Sequence, residues 1–214
     1  GGLRSCSGTG RLAVHRRGVA LFKAGDAINN WVIEQPLGRG GMGAVFLAHN
    51  KYAPRIKAAI KILSAHQVPQ ASERFVREAE LLCQLDHPNI VRVRDIHMGD
   101  GPTYLVMDLV EGQSLEECVE RGPTPSDVAV RYIRQLADAL QYVHDQQIWH
   151  RDIKPANVLL RPDGRPVLVD FGIAHQEGNT RLTQTGMLAP ASVPYAPPEW
   201  LLPDALDPRK GDIY

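Results

Sequence analysis

Between residues 31 and 110, short apolar and β-branched runs alternate with turn-forming residues: "WVIEQPLG", "GAVFLAHN", "RIKAAIKIL", "NIVRVRDIHM" and "TYLVMDLV" are separated by Gly, Pro, Asn and Asp. Runs of this length and composition predict five strands. One segment breaks the pattern. From Ser72 to Leu85 the apolar residues Phe75, Val76, Ala79, Leu82, Cys83 and Leu85 recur at three and four positions, which predicts a helix.

Beyond Val110 the period changes. "EGQSLEECVERG" reads as a short helix, and a longer one follows, with Thr124 as cap, Pro125 at the first helical position, Asp127 as the capping-box acid and an end near His144. Its face of Ala129, Tyr132, Ile133, Leu136, Leu140 and Val143 is expected to pack on a core. "NVLLR" and "PVLVD" then predict two strands joined by the turn "PDG". A strand-rich first half and a helix-led second half predict an α+β chain of two lobes with a cleft between them. There is no internal repeat. From Phe171 to Pro208 the chain is rich in Gly, Pro, Thr and Ser without periodicity, a long loop of the kind retained for function.

Composition adds limits. The 214 residues suffice for one large domain or two small lobes, and 24 basic against 24 acidic residues give no electrostatic case for a nucleic-acid partner or a membrane surface. Arg4, Arg11, Arg16, Arg17 and Lys23 stand without an acid in residues 1–25, so the remainder carries a net charge of −5. That basic start lacks a long apolar core and reads as a disordered leader rather than a targeting segment, and because the chain opens on Gly1 its natural start is expected upstream. Cys6, Cys83 and Cys118 share no metal-like spacing, which predicts reduced thiols in a cytosolic compartment. No run of eighteen apolar residues occurs, so no membrane span is expected in this stretch.

The chemistry gathers at four places. "GRGGMGAV" sets Gly38, Gly40 and Gly43 between two strands, where glycines let backbone N–H groups approach a phosphate, although a glycine-rich hairpin is as readily a turn. A dinucleotide fold would need a helix after them, whereas "AVFLA" reads as a strand. Lys61 lies inside an apolar strand, where a lone Lys is more often solvated; if it is buried it needs a partner, for which Glu73, Glu78 and Glu80 are candidates. In "HRDIKPANVLL", Asp152 and Asn157 sit in a segment too polar and too Pro-broken for a helix, so both can turn toward one ligand or form a capped turn. "VLVDFG" ends a buried strand on Asp170, a position that suits either a metal-binding carboxylate or a turn.

Taken in order, the glycine loop, strand Lys, helix Glu, "HRDIKPAN" and "DFG" form the protein-kinase signature set. From about Trp31 to Tyr214 the sequence resembles the bacterial, eukaryotic-like (Hanks-type) serine/threonine protein kinases. The resemblance implies a bilobal fold: a basic leader over 1–25, a small antiparallel-sheet N-lobe and hinge over 26–110, and part of a helical C-lobe over 111–214. It implies ATP and Mg2+ as cofactors, with Gly38, Gly40 and Gly43 over the phosphates and Lys61 on the α- and β-phosphates. It selects Glu78, ten residues before Pro88, as the partner of Lys61. Asp152 would accept the proton of the substrate hydroxyl, Lys154 would neutralise the transferring group, and Asn157 with Asp170 would hold magnesium. Val45, Ala59 and Leu159 would sandwich the adenine, Met107 would stand at the back of the pocket, and the hinge from Asp108 to Val110 would bind the base through its backbone. The Lys two residues after Asp152 marks a serine/threonine enzyme, and Ser192 matches the hydroxyl residue that contacts this loop. Arg151 implies regulation by phosphorylation of the activation segment, with Thr183 and Thr185 as autophosphorylation sites. The partners implied are proteins bearing Ser or Thr and a second kinase copy for trans-autophosphorylation. The location implied is cytoplasmic, free or as the cytosolic part of a membrane-anchored kinase.

Departures from the family pattern are few: Ala58 replaces the usual Val, Pro197 to Glu199 read "PPE" rather than Ala-Pro-Glu, and Ala191 stands where Gly is favoured. They alter the peptide-docking loop and remove no catalytic group. "KGDIY" is where the family's central C-lobe helix begins, with Asp212 matching an Asp that braces the catalytic loop. The helices after it would lie past Tyr214, so the isolated chain is expected to be marginally stable, aggregation-prone or inactive. The alternatives are a pseudokinase or nucleotide-binding scaffold, against which intact Lys61, Asp152 and Asp170 speak, and a small-molecule kinase, which the activation segment disfavours.

Overall fold

A computed structural model describes residues 22–40, 43–63, 73–99, 101–171, 195 and 212–213. Six strands form one antiparallel sheet: β1 (Ala27–Ile28), β2 (Trp31–Gly40), β3 (Gly43–Asn50), β4 (Lys57–Leu63), β5 (Val93–His97) and β6 (Tyr104–Met107), in the order β1-β2-β3-β4-β6-β5. The five predicted strands are present, and β1 is an addition, too short at two residues to show a period. The run "NIVRVRDIHM" divides. Val93–His97 joins the sheet as β5, while Ile90 forms a parallel bridge to Leu168 in the second lobe.

Alternation along β4 sends its two faces to two cores. Ala58, Ile60 and Ile62 meet Ile33, Phe46, Tyr104 and Val106 on one side, each full burial of a large side chain contributing about 1.5–3 kcal/mol. Ala59 and Leu63 face the other core, with Leu82 from the helix α1 (Glu73–Gln84) and Leu85 just past its end. Lys61 lies between them on that same face, its Cα opposite Val45 on β3 and Leu105 on β6.

The second lobe contains α2 (Leu115–Glu120), α3 (Ser126–Asp145) and a small sheet of β7 (Gln113–Ser114), β8 (Val158–Leu160) and β9 (Pro166–Leu168). The short helix α2 starts on a capping box: the Glu117 N–H donates to Ser114 Oγ at 3.1 Å and the Ser114 N–H donates to Glu117 Oε2 at 3.0 Å. Helix α3 begins one residue later than the sequence suggests. Pro125 is its N-cap, without a side-chain cap bond, so Thr124 does not cap it. On α3, Ala139 and Val143 are buried and Leu136 and Leu140 pack partly on the core, whereas Ile133 is 66% exposed. The expected apolar face is wider than the core it meets, and Ile133 stands at its outer edge. The "PDG" turn forms as expected, with Gly164 at φ 78°.

The lobes share backbone as well as side chains. The Leu168 N–H donates to Asn89 O and the Val91 N–H to Leu168 O, both at 2.8 Å. Asn89, buried, donates through Nδ2 to Pro166 O at 2.7 Å and to Gln135 Oε1 at 3.1 Å. One core cluster accordingly holds Leu82, Val91 and Leu105 together with Val143, Val158 and Leu168.

Candidate active site

The segment 150–157 is suspended between two fixed points. Behind it, the buried Asp212 carboxylate accepts the His150 N–H at 2.8 Å, the Arg151 N–H at 2.6 Å and His144 Nε2 at 2.9 Å. Ahead of it, β8 carries the chain into the small sheet. Arg151 is held at φ 65°, a left-handed conformation that L-residues adopt at a cost, and the bond to Asp212 is what secures it. The polar turn also contains a single 3-10 turn, Pro155–Asn157.

His150 is fully buried and packs at a tilt of 45° against Phe171, with ring centroids 4.6 Å apart. Its Nε2–H donates to Val169 O at 2.9 Å, and its Nδ1 accepts the Asp152 N–H at 3.3 Å. This tautomer uses both nitrogens, and a second ring proton would meet the Asp152 N–H head on. Burial pushes the imidazole below its usual pKa, against the opposing pull of Asp212. The sign for stability follows from proton counting. Above pH about 6.5 His150 is neutral in both states, and as pH falls the unfolded chain binds a proton that the folded chain refuses. Stability from this group is therefore complete above that pH and declines below it, at up to about 1.4 kcal/mol per pH unit. His87, also lowered by burial, adds the same sign. Denaturant midpoints measured from pH 7.5 to 5.5 should fall more steeply for the natural chain than for His150→Phe; parallel curves would refute the assignment.

Asp152, buried, is the focus of the turn. Its Oδ2 accepts from Lys154 Nζ at 2.8 Å and from Asn157 Nδ2 at 3.0 Å, and Asn157 Nδ2 also donates to Asp152 O at 2.7 Å. With its amide nitrogen spent in this way, Asn157 presents Oδ1 as an acceptor. The Val169 N–H donates to Asn157 O at 2.9 Å, which holds Asn157 beside the strand end that carries Asp170. A carboxylate and an amide oxygen fit a hard cation such as magnesium, which takes few protein ligands and keeps the rest of its shell for water and phosphate. The described residues hold no cluster of three acidic, His or Cys side chains that would mark a dedicated cage.

Lys61 is buried and ion-paired with Asp170, whose backbone is left-handed at φ 69°. Glu78 instead stands 3.6 Å from an Arg151 guanidinium nitrogen. The expected Lys61–Glu78 pair is thus replaced by two others among the described residues. Spacing along a helix does not set how closely α1 approaches the sheet. Asp170 neutralises the buried ammonium and Arg151 neutralises Glu78, so neither charge requires that approach.

The walls assigned to a nucleotide lie on one side of the sheet. Ala59 pairs in register with Met107, and Val45 with Lys61. Leu159 is half-buried in β8. Asp108 and Val110 follow β6 outside the ladder, and Val110 packs partly on the shared core. The three glycines divide. A Cβ on Gly43, at φ 143°, would lie 2.0 Å from Ile62 O, so the fold itself requires glycine there. A Cβ on Gly38 or Gly40 would meet nothing within 4 Å. Packing among the described residues therefore does not account for these two, and glycine there leaves the backbone open to close approach.

Thr183, Thr185, Ser192 and the 1–21 part of the leader lie outside the described residues. Two features were not legible in advance: the double hydrogen bond that locks His150, and the ion pair of Arg94 with Asp108. The second depends on a strand irregularity that no sequence period displays.

A family model described as "Protein kinase domain" matches residues 31–214. Among curated proteins, the chain is 42% identical over 199 residues to serine/threonine-protein kinase PknJ of Mycobacterium tuberculosis, covering 90% of this chain and 33% of that protein. It is 38% identical over 188 residues to serine/threonine-protein kinase pkn2 of Myxococcus xanthus, covering 84% of this chain and 22% of that protein. A crystal structure of Rad53 1-466 in complex with AMP-PNP superposes with a TM-score of 0.65 at 30% identity, covering 80% of this chain and 42% of that one. The chain spans about a third of the length of the first of these curated relatives.

Proposed function

The chain belongs to the protein kinase domain family, and on that premise we propose that it transfers the γ-phosphoryl group of ATP to Ser and Thr hydroxyls of proteins, its own activation segment included. The observation that carries this reading is the cluster of Asp152, Lys154 and Asn157, bonded together within 3.0 Å and held beside the strand that delivers Asp170. Phosphoryl transfer asks for positioning and charge neutralisation more than covalent chemistry. In the reaction the bond from the γ-phosphorus to the β-phosphate oxygen breaks, the bond to the substrate oxygen forms, and the hydroxyl proton passes to Asp152. Lys154 faces the transferring group and Lys61 the α- and β-phosphates. Asn157 and Asp170 would hold magnesium, which when bound neutralises charge on the phosphate oxygens.

The similarity to proteins named serine/threonine-protein kinases supports the choice of hydroxyl over phenol, as does Lys154 two residues after Asp152. Thr183 and Thr185 are the proposed autophosphorylation sites, modified in trans by a second copy, with Ser192 beside the substrate hydroxyl. We place the unit in the cytoplasm, free or as the cytosolic part of an anchored kinase; no helix among the described residues is long and apolar enough to cross a membrane. The test is incubation with magnesium and labelled ATP, followed by phosphosite mapping, with an Asp152→Asn chain as blank. Phosphate on Thr183 or Thr185 that is missing from the blank is the expected result. Nucleotide binding without any transfer, in this chain and in one extended past Tyr214, would overturn it in favour of a nucleotide-binding scaffold.

A further inference from the structure

The edge strand β5 does not run in simple register with β6. Val93 lies opposite Met107 and Asp95 opposite Val106, so Arg94 has no partner residue and forms a bulge. An extra residue in one strand bends it and re-aims the side chain it carries. Here the re-aimed side chain is a guanidinium, and its Nε pairs with the Asp108 carboxylate. Asp108 is the first residue past the end of β6, and its N–H donates to Arg92 O at 2.9 Å. One three-residue stretch, Arg92 to Arg94, therefore grips Asp108 by both backbone and side chain. The neighbouring acid does not compete for the arginine, because Asp95 Oδ1 accepts the Ile96 N–H at 2.8 Å.

We propose that Arg94 is a positioning residue for the nucleotide base, fixing through Asp108 the start of the 108–110 segment against which the adenine would rest. The inference deepens the reading of that segment as a nucleotide site and rests on it. The ion pair is poorly suited to a purely structural role: the side chains of Arg94 and Asp108 are 45% and 36% exposed, and such a pair contributes little to global stability. Its effect is local, on the one peptide where the ladder gives way to open chain. Arginine suits the task because its planar fork holds a carboxylate in a set orientation, which a lysine ammonium does not.

The experiment has two readouts on the full chain. The first needs no nucleotide: amide hydrogen exchange at Asp108, followed in the natural chain and in Arg94→Gln. Exchange there should quicken by about tenfold, while the amides of β3 and β4 keep their rates. The second is the ATP dependence of transfer. Arg94→Gln should raise KM for ATP by about threefold at unchanged kcat, as loss of an exposed ion pair allows, with Arg94→Lys intermediate. Asp108→Asn should raise it similarly, and the double variant should add nothing further. Unchanged exchange at Asp108 overturns the clamp whatever the nucleotide does. Faster exchange with unaltered KM overturns the role in base positioning. Failure of the natural chain to bind ATP at all overturns the nucleotide reading instead, and is seen separately because the exchange readout does not depend on it.

Discussion

Replacing Asp152 with Asn is expected to lower kcat by about 10² to 10⁴, the usual contribution of a positioned general base, with nucleotide affinity little changed. The substitution keeps the shape of the side chain and leaves one oxygen able to accept from Lys154 and Asn157, which now lie 2.8 and 3.0 Å from Oδ2. What it would remove is the basicity that, in the proposed reaction, takes the hydroxyl proton. Because Asp152 stands in the second lobe and the expected phosphate contacts in the first, single-turnover transfer and nucleotide binding report on separate groups. A residual rate within tenfold of the natural chain would mean that Asp152 only orients its neighbours.

Replacing Asp212 with Ala should be nearly as damaging, through position rather than chemistry. Two backbone N–H groups, those of His150 and Arg151, would lose their acceptor, each at about 1–3 kcal/mol where no water can substitute. Arg151 would also lose the bond that secures its left-handed backbone, and it precedes Asp152 directly. A displacement of about 1 Å at a reacting group can cost about 10² in rate, so kcat should fall by roughly that factor while ATP binding is retained. Asn should not rescue, since its amide nitrogen would face an N–H donor. Loss of nucleotide binding together with kcat, alongside a collapsed melting transition, would show Asp212 to be a general structural support instead.

Much of this was legible from residue order. Five strands of the main sheet, three helices and the "PDG" turn follow from period and turn chemistry, because each is a local property. So does the grouping of Asp152, Lys154 and Asn157, which are too close in sequence to be far apart in space. The misses are non-local. β1 and β7 are strands only because longer strands pair with them. The capping of α3 moved by one residue because Pro125, with φ near −53°, serves as the N-cap itself. Lys61 found Asp170, 109 residues away, rather than Glu78. Which of two carboxylates reaches a buried ammonium is settled by how a helix docks and by one left-handed peptide, and neither leaves a mark in the period of apolar residues.

The shared seam has a consequence for the order in which the chain is made. Asn89 and Val91 belong to the first lobe by sequence, yet their backbone partner is Leu168. A ribosome adding about 5–20 residues per second needs roughly 4 to 15 s to pass from one to the other. During that interval the first sheet can close around Phe46 and Ile60, but the face bearing Leu63, Leu82, Val91 and Leu105 has no cover from β9. By this reasoning the nascent chain would emerge with one face of its first sheet packed and the other still apolar and open, until β9 and its neighbours arrive to cover it.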